Sequence, residues 1–274
     1  MALVPFPSQN RNDENLPEKG FSPFDDEEQP GEGRMTFLEH LDELRKRITH
    51  AVVGLLVGFV ISFAFINDIF NFIYARLALV VPGKKLIYTE APEMFMLYIK
   101  MAALIGVLIA SPYIMLQVWL FIAPGLYAKE KKLAIPFVLS SSLLFVSGAA
   151  FSHYFVFPAA WNFFASFSGG VVEFMPRVGP IFGMYVKLML GIGLTFQLPV
   201  LMFVLARLGI VTAGFLLRNF KYAVLLIFIF AAVITPDGNP VTQVMVGGPM
   251  VVLYLLGIAA AWLFGKSKKA DTDN

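Results

Sequence analysis

The chain has 274 residues, 58% of them hydrophobic and 15% charged, with a mean hydropathy of +0.72. A water-soluble domain needs more polar surface than that, so the sequence reads as a membrane protein. A net charge of +2 is too small to imply a nucleic-acid partner, and the lack of cysteine excludes disulfides and thiolate chemistry.

Residues 1–34 carry eight acids against three bases, with few aliphatic side chains to bury. Such a segment cannot offset its ordering entropy and is expected to be a disordered, dispensable extension. The membrane domain is expected over 35–265, with a tail at 266–274. Thr36 and Glu39 have the spacing of a capping box. Phe37, Leu41, Leu44 and Ile48 form one stripe of an amphipathic helix, expected to lie along the membrane surface before the first span.

Six apolar spans are expected, giving an all-α integral membrane fold. The first is 48–66, followed by a short interfacial helix near 69–81 that ends at Pro82-Gly83. The second, 94–121, carries a Ser111-Pro112 kink signal. The third is 133–157, ending at Pro158, and the fourth is 181–206, containing Lys187 and Gln197-Leu198-Pro199. The fifth, 222–234, makes about 20 Å of helix, short of a ~30 Å hydrocarbon core. The sixth is 241–264.

Lysine and arginine fall unevenly on the loops, 15 on the side of the termini against four on the other. The positive-inside rule therefore puts both termini in the cytoplasm. Lys100 and Lys187 lie within spans, roughly 9–10 Å deep, where a lysine can snorkel. Gln197, near mid-span, needs a polar partner: an interhelical bond or a residue on another protein's helix. Glu130 sits among Lys129, Lys131 and Lys132, and Glu43 lies on the amphipathic helix. Glu130 is either a local ion-pair member or a bidentate acceptor for an incoming arginine, and Glu43 either belongs to a solvated helix face or offers a second such acceptor.

No P-loop, G-x-S-x-G or H-E-x-x-H occurs, and His40, His50 and His153 have no metal-ligand spacing. No enzyme activity, cofactor or metal is expected. A secondary transporter with a midplane solute site is the alternative. It calls for inverted repeats and mid-depth charges, and no internal repeat is evident.

Several motifs resemble the TatC family. The run Phe37-Leu38-Glu39-His40-Leu41-Asp42-Glu43-Leu44-Arg45-Lys46-Arg47 resembles its N-terminal signature. Trp119-Leu120-Phe121-Ile122-Ala123-Pro124-Gly125-Leu126-Tyr127, followed by Glu130, resembles its first cytoplasmic loop. Phe155-Val156-Phe157-Pro158, Phe196-Gln197-Leu198-Pro199 and Ile234-Thr235-Pro236-Asp237 follow at the later landmarks.

The resemblance implies a six-span receptor in the inner membrane, with short fifth and sixth helices. It implies binding of twin-arginine signal peptides at Glu43, Arg45, Phe121 and Glu130. It also implies an oligomeric complex with the single-span TatA and TatB subunits, through polar positions such as Gln197 and Asp237. Export of folded cargo would draw on the proton-motive force. The sequence departs from the family at the acidic extension, at Arg76 in place of a proline, and at Gly238-Asn239-Pro240 after Asp237. Gln197 also stands where some members carry glutamate.

Overall fold

A computed structural model describes residues 37–80, 86–122, 134–167, 176–235 and 240–264. The extension 1–34, the capping residue Thr36, the Pro82-Gly83 stop, Glu130, Asp237 and the tail 266–274 lie outside the described residues.

Helix α1 spans Phe37–Ala64 without interruption. The expected surface helix and first span are therefore one rod of 28 residues, about 42 Å long. The reason is local: no proline separates the amphipathic stretch from the apolar one, and both glycines face a neighbour rather than a bend. That neighbour is α3, Glu93–Ile122, which runs antiparallel to α1. A Cβ on Gly58 would stand 2.5 Å from the Gly106 carbonyl oxygen, and one on Gly106 would stand 2.8 Å from the Phe59 nitrogen. Only hydrogen at both positions lets the two backbones approach so closely. Val52, Val53, Leu56, Val57 and Val60 are exposed along α1, as lipid-facing side chains should be.

Helix α2, Ile66–Val80, follows a one-residue break and packs on α3 and on α5. The expected interfacial helix is present. Helix α3 continues through Pro112, which lacks the N–H that would reach Leu108. The Ser111 hydroxyl instead donates to the Leu108 carbonyl at 2.8 Å, so the orphaned acceptor stays satisfied.

The third span is longer than its sequence signal. Helix α4, Ala134–Phe151, passes through one wide turn at Ser152–Val156 into α5, Phe157–Ala165. In that turn the Phe157 N–H reaches back five residues to the Ser152 carbonyl. Pro158 then falls in the first turn of α5, where no N–H is required, so the expected stop does not occur.

The fourth span is split into α6, Val178–Thr195, and α7, Leu198–Arg207, with Gln197 at the joint and proline in the first turn of α7. Gly209, at φ +74°, closes α7 in the left-handed conformation that favours glycine. A short α8, Ala213–Arg218, starts under a Thr212 cap whose hydroxyl accepts the Phe215 N–H at 3.2 Å. Helix α9, Phe220–Ile234, has 15 residues, about 22 Å, so the fifth crossing is short as expected. Helix α10, Pro240–Phe264, has 25 residues. The expectation of a short sixth helix is corrected by that length: no helix-ending signal interrupts it, and Pro249 is carried inside.

Among the described residues, five helical stretches are long and apolar enough to cross a membrane, and α9 is a shorter apolar helix. The core runs from α2, α3, α5 and α6 on into α7, α9 and α10, and in its first part Ile73, Val156, Phe157, Tyr185 and Leu188 are fully buried. His153 and Tyr185 are hydrogen-bonded inside it at 2.8 Å, under the stacked ring of Phe72. We call the face where α1 begins and α3 ends the near face, and its opposite the far face. On the far face a parallel bridge joins Ile87 to Arg177: the Ile87 N–H donates to Pro176 O at 3.2 Å, and the Val178 N–H to Ile87 O at 3.0 Å.

Candidate functional site

Helical register puts His40, Glu43 and Arg47 on one face of α1, at spacings of three and four. The His40 ring stacks on Phe121 of α3, with centroids 4.4 Å apart, and this brings the last turn of α3 against the first turns of α1. Gln117 lies one turn before Phe121 on α3; it is buried, and its side-chain oxygen has no hydrogen-bond partner among the described residues.

Glu43 is largely covered, with 14% of its side chain exposed. Its Oε1 accepts from Arg47 Nη2 at 3.1 Å. Its Oε2 is buried and has no partner among the described residues. A shielded carboxylate oxygen without a donor is costly, and Arg47 Nε on the same face is likewise without a partner among the described residues. Arg45 is exposed and, two residues from Glu43, projects from the other side of α1. Of the four expected signal-peptide residues, Phe121 stacks on His40, on the same α1 face as Glu43, Arg45 projects from the other side, and Glu130 lies outside the described residues.

Two features escaped the sequence reading. His40 carries no metal-ligand spacing in the sequence, yet its spacing of three from Glu43 places it on the same face. Gln117 had a signal too, as an amide in an otherwise apolar helix.

Gln197, half-buried at the α6–α7 joint, donates from Nε2 to the Ser141 carbonyl of α4 at 2.9 Å. The interhelical bond considered for it is thus made. Beside the joint, Leu194, Leu198, Leu226, Phe230, Val233 and Met250 help line an apolar groove of about 380 Å³. Asp237 lies outside the described residues.

On the far face, Glu93 opens α3 with both oxygens engaged. Oε1 accepts the Gly179 N–H and Oε2 accepts the Thr89 N–H, each at 3.0 Å. Arg177 bridges Glu90 at 3.2 Å and Glu93 at 3.5 Å. Its hydrogen bond to Glu90 and the charge of Glu93 hold the guanidinium above its usual range.

The profile of the Sec-independent protein translocase protein (TatC) family matches residues 39–249. The chain belongs to the TatC family. It is 39% identical over 243 residues to the TatC protein of Desulforapulum autotrophicum, covering 88% of this chain and 90% of that one. It is 40% identical over 235 residues to the TatC protein of Koribacter versatilis, covering 84% and 86%. A crystal structure titled as the twin-arginine translocase receptor TatC superposes with a TM-score of 0.70 at 32% identity, covering 81% of this chain and 97% of that one. A second, in the detergent DDM, gives 0.71 at 31% identity, covering 83% and 99%. The six-helix transmembrane architecture of TatC is therefore the fold of this chain, a multi-pass membrane component of the Tat protein-transport system.

Proposed function

We propose that this protein is the receptor subunit that binds twin-arginine signal peptides and commits folded cargo to export, driven by the proton-motive force. The observation that carries the reading is the buried, unpartnered Oε2 of Glu43 beside the His40–Phe121 stack. A guanidinium supplies two or more N–H donors in one plane, which suits a carboxylate whose second oxygen is vacant. The stacked rings beside it offer a surface for the flat guanidinium or for an apolar residue next to it. Glu130 provides the second acceptor, Arg45 lines the approach, and two acceptors suit two consecutive arginines.

The near face is cytoplasmic in this reading, the membrane is the inner membrane, and both termini lie in the cytoplasm. The loop charge asymmetry supports it. TatA and TatB are the partners. The apolar groove between the α6–α7 joint and α9 suits a single apolar helix, with Gln197 and Asp237 as its polar anchors. Each receptor works within an oligomeric complex in the bilayer.

The test is a titration of purified receptor in nanodiscs with a signal peptide carrying Arg-Arg, against the same peptide carrying Lys-Lys. The Arg-Arg form binds about tenfold tighter in the reading given, the scale of one charge-assisted hydrogen bond. Equal affinities refute it. Photo-crosslinking from positions 43, 121 and 130 places the peptide.

A further inference from the structure

The far end of α3 and α6 holds a cavity of about 290 Å³ that the peptide site does not use. It lies at the small end of the ~300–1,000 Å³ range of ligand pockets, the size of a headgroup rather than of a large solute. Its charged lining is balanced: Glu90, Glu93, Arg177 and Lys100. These four are not equivalent. Glu93 spends both oxygens on backbone N–H groups, and Arg177 is spent on the two glutamates. Lys100 has no ion-pair partner among the described residues. Glu90 keeps 68% of its side chain exposed at the rim.

The remaining charges are ordered by depth: Lys100 is unpaired among the described residues, and Glu90 gives Oε1 to Arg177 while its exposed Oε2 stays open to a donor. Lys100 follows Glu93 by seven residues on the same helix face, about 10 Å further into the membrane. Glu90 precedes the helix, at the water side. The deep charge is positive and the shallow one negative. A phospholipid headgroup with a terminal amine has the complementary order, with phosphate next to the acyl chains and ammonium outside it. Met96, Leu97 and Phe182 complete the wall with apolar surface suited to the glycerol and upper acyl chains. An ammonium with three N–H donors donates to Glu90 Oε2, beside the Oε1 that Arg177 holds.

We propose that this cavity binds the headgroup of a phosphoethanolamine lipid, with Lys100 on the phosphate and Glu90 on the ammonium. A lysine that merely snorkels accepts any phosphate at that depth. The pairing with Glu90 adds a preference that snorkelling alone lacks.

The experiment is native mass spectrometry of the purified full chain in detergent, supplied with equal amounts of phosphatidylethanolamine, phosphatidylcholine and phosphatidylglycerol of matched acyl chains. The wild type retains phosphatidylethanolamine about tenfold over the other two, the scale of a charge-assisted hydrogen bond. Lys100→Gln loses that retention and Lys100→Arg keeps it, which separates lost binding from lost folding. Glu90→Gln keeps lipid but loses the preference over phosphatidylcholine. Lys187, seven residues beyond Pro180 on α6 and not in the cavity lining, is the control, and Lys187→Gln leaves the preference intact. No preference in the wild type overturns the proposal, as does equal loss in Lys187→Gln or wild-type retention in Lys100→Gln. Displacement of the lipid by equimolar free phosphoethanolamine also overturns it, by assigning the cavity to a soluble phosphoamine.

Discussion

The two ends of α3 each meet a glutamate, and the two carboxylates are treated in opposite ways. On the far face Glu93 is saturated by Thr89, Gly179 and Arg177, and it ties together two chain segments more than 80 residues apart. On the near face Glu43 is also covered, yet one of its oxygens has no donor among the described residues. Saturation marks a carboxylate that holds the fold. In the proposed function the covered oxygen left open is the one a ligand fills, because most buried acceptors are satisfied internally.

The largest expected effect tests that contrast directly. Glu43→Ala should weaken a twin-arginine peptide by about tenfold or more while leaving thermal unfolding close to wild type, since only the bond to Arg47 is lost from the folded state. Glu93→Ala should do the reverse: unfold at lower temperature, with peptide affinity retained. Peptide titration and thermal scans on the same two preparations check both. Matching profiles for the two variants would break the contrast.

The next effect falls on the crossing that holds the near-face site together. Gly58→Val puts side-chain carbons where the Gly106 carbonyl already stands, so α1 and α3 must separate. Overpacking of this kind costs about 1–3 kcal/mol. Because Phe121 and Glu43 sit on the two helices being forced apart, peptide affinity should fall together with stability. A valine variant that unfolds earlier but binds normally would show that the site does not depend on this crossing.

The apolar runs made the helices legible: six blocks in the sequence became six crossings, although the fourth, expected as one span, breaks before Leu198-Pro199. The amphipathic stripe from Phe37 was also read correctly as helix. Its separation from the first span was not, because nothing in the residues breaks it. Pro158 misled in the opposite direction. A proline normally ends a helix, but the wide turn at Ser152–Val156 removes the need for its N–H, and that turn has no sequence signature. The Ile87–Arg177 bridge was illegible for a different reason. It joins two loops 90 positions apart through backbone groups that every residue carries. At the candidate site, the family motifs point to Glu43 and Phe121. The open Oε2 and the His40 stack depend on where α3 ends relative to α1, which no local pattern encodes.

The smallest effect extends the contrast to a polar group in the middle of the bundle. Gln197 is satisfied by the Ser141 carbonyl, as Glu93 is by its own donors, yet it sits beside an apolar groove open to another helix. Gln197→Leu removes one interhelical hydrogen bond, worth about 0.6 kcal/mol on average and about 1.7 at most in comparable membrane bundles. The leucine also adds apolar surface next to the groove, which partly offsets that loss. Thermal unfolding of the isolated protein should therefore change little. If the amide serves only α4, co-purification of single-span partners is unchanged as well. If it is shared with a partner helix, their yield falls while the isolated receptor melts as before, because the lost acceptor or donor then belongs to the complex and not to the fold.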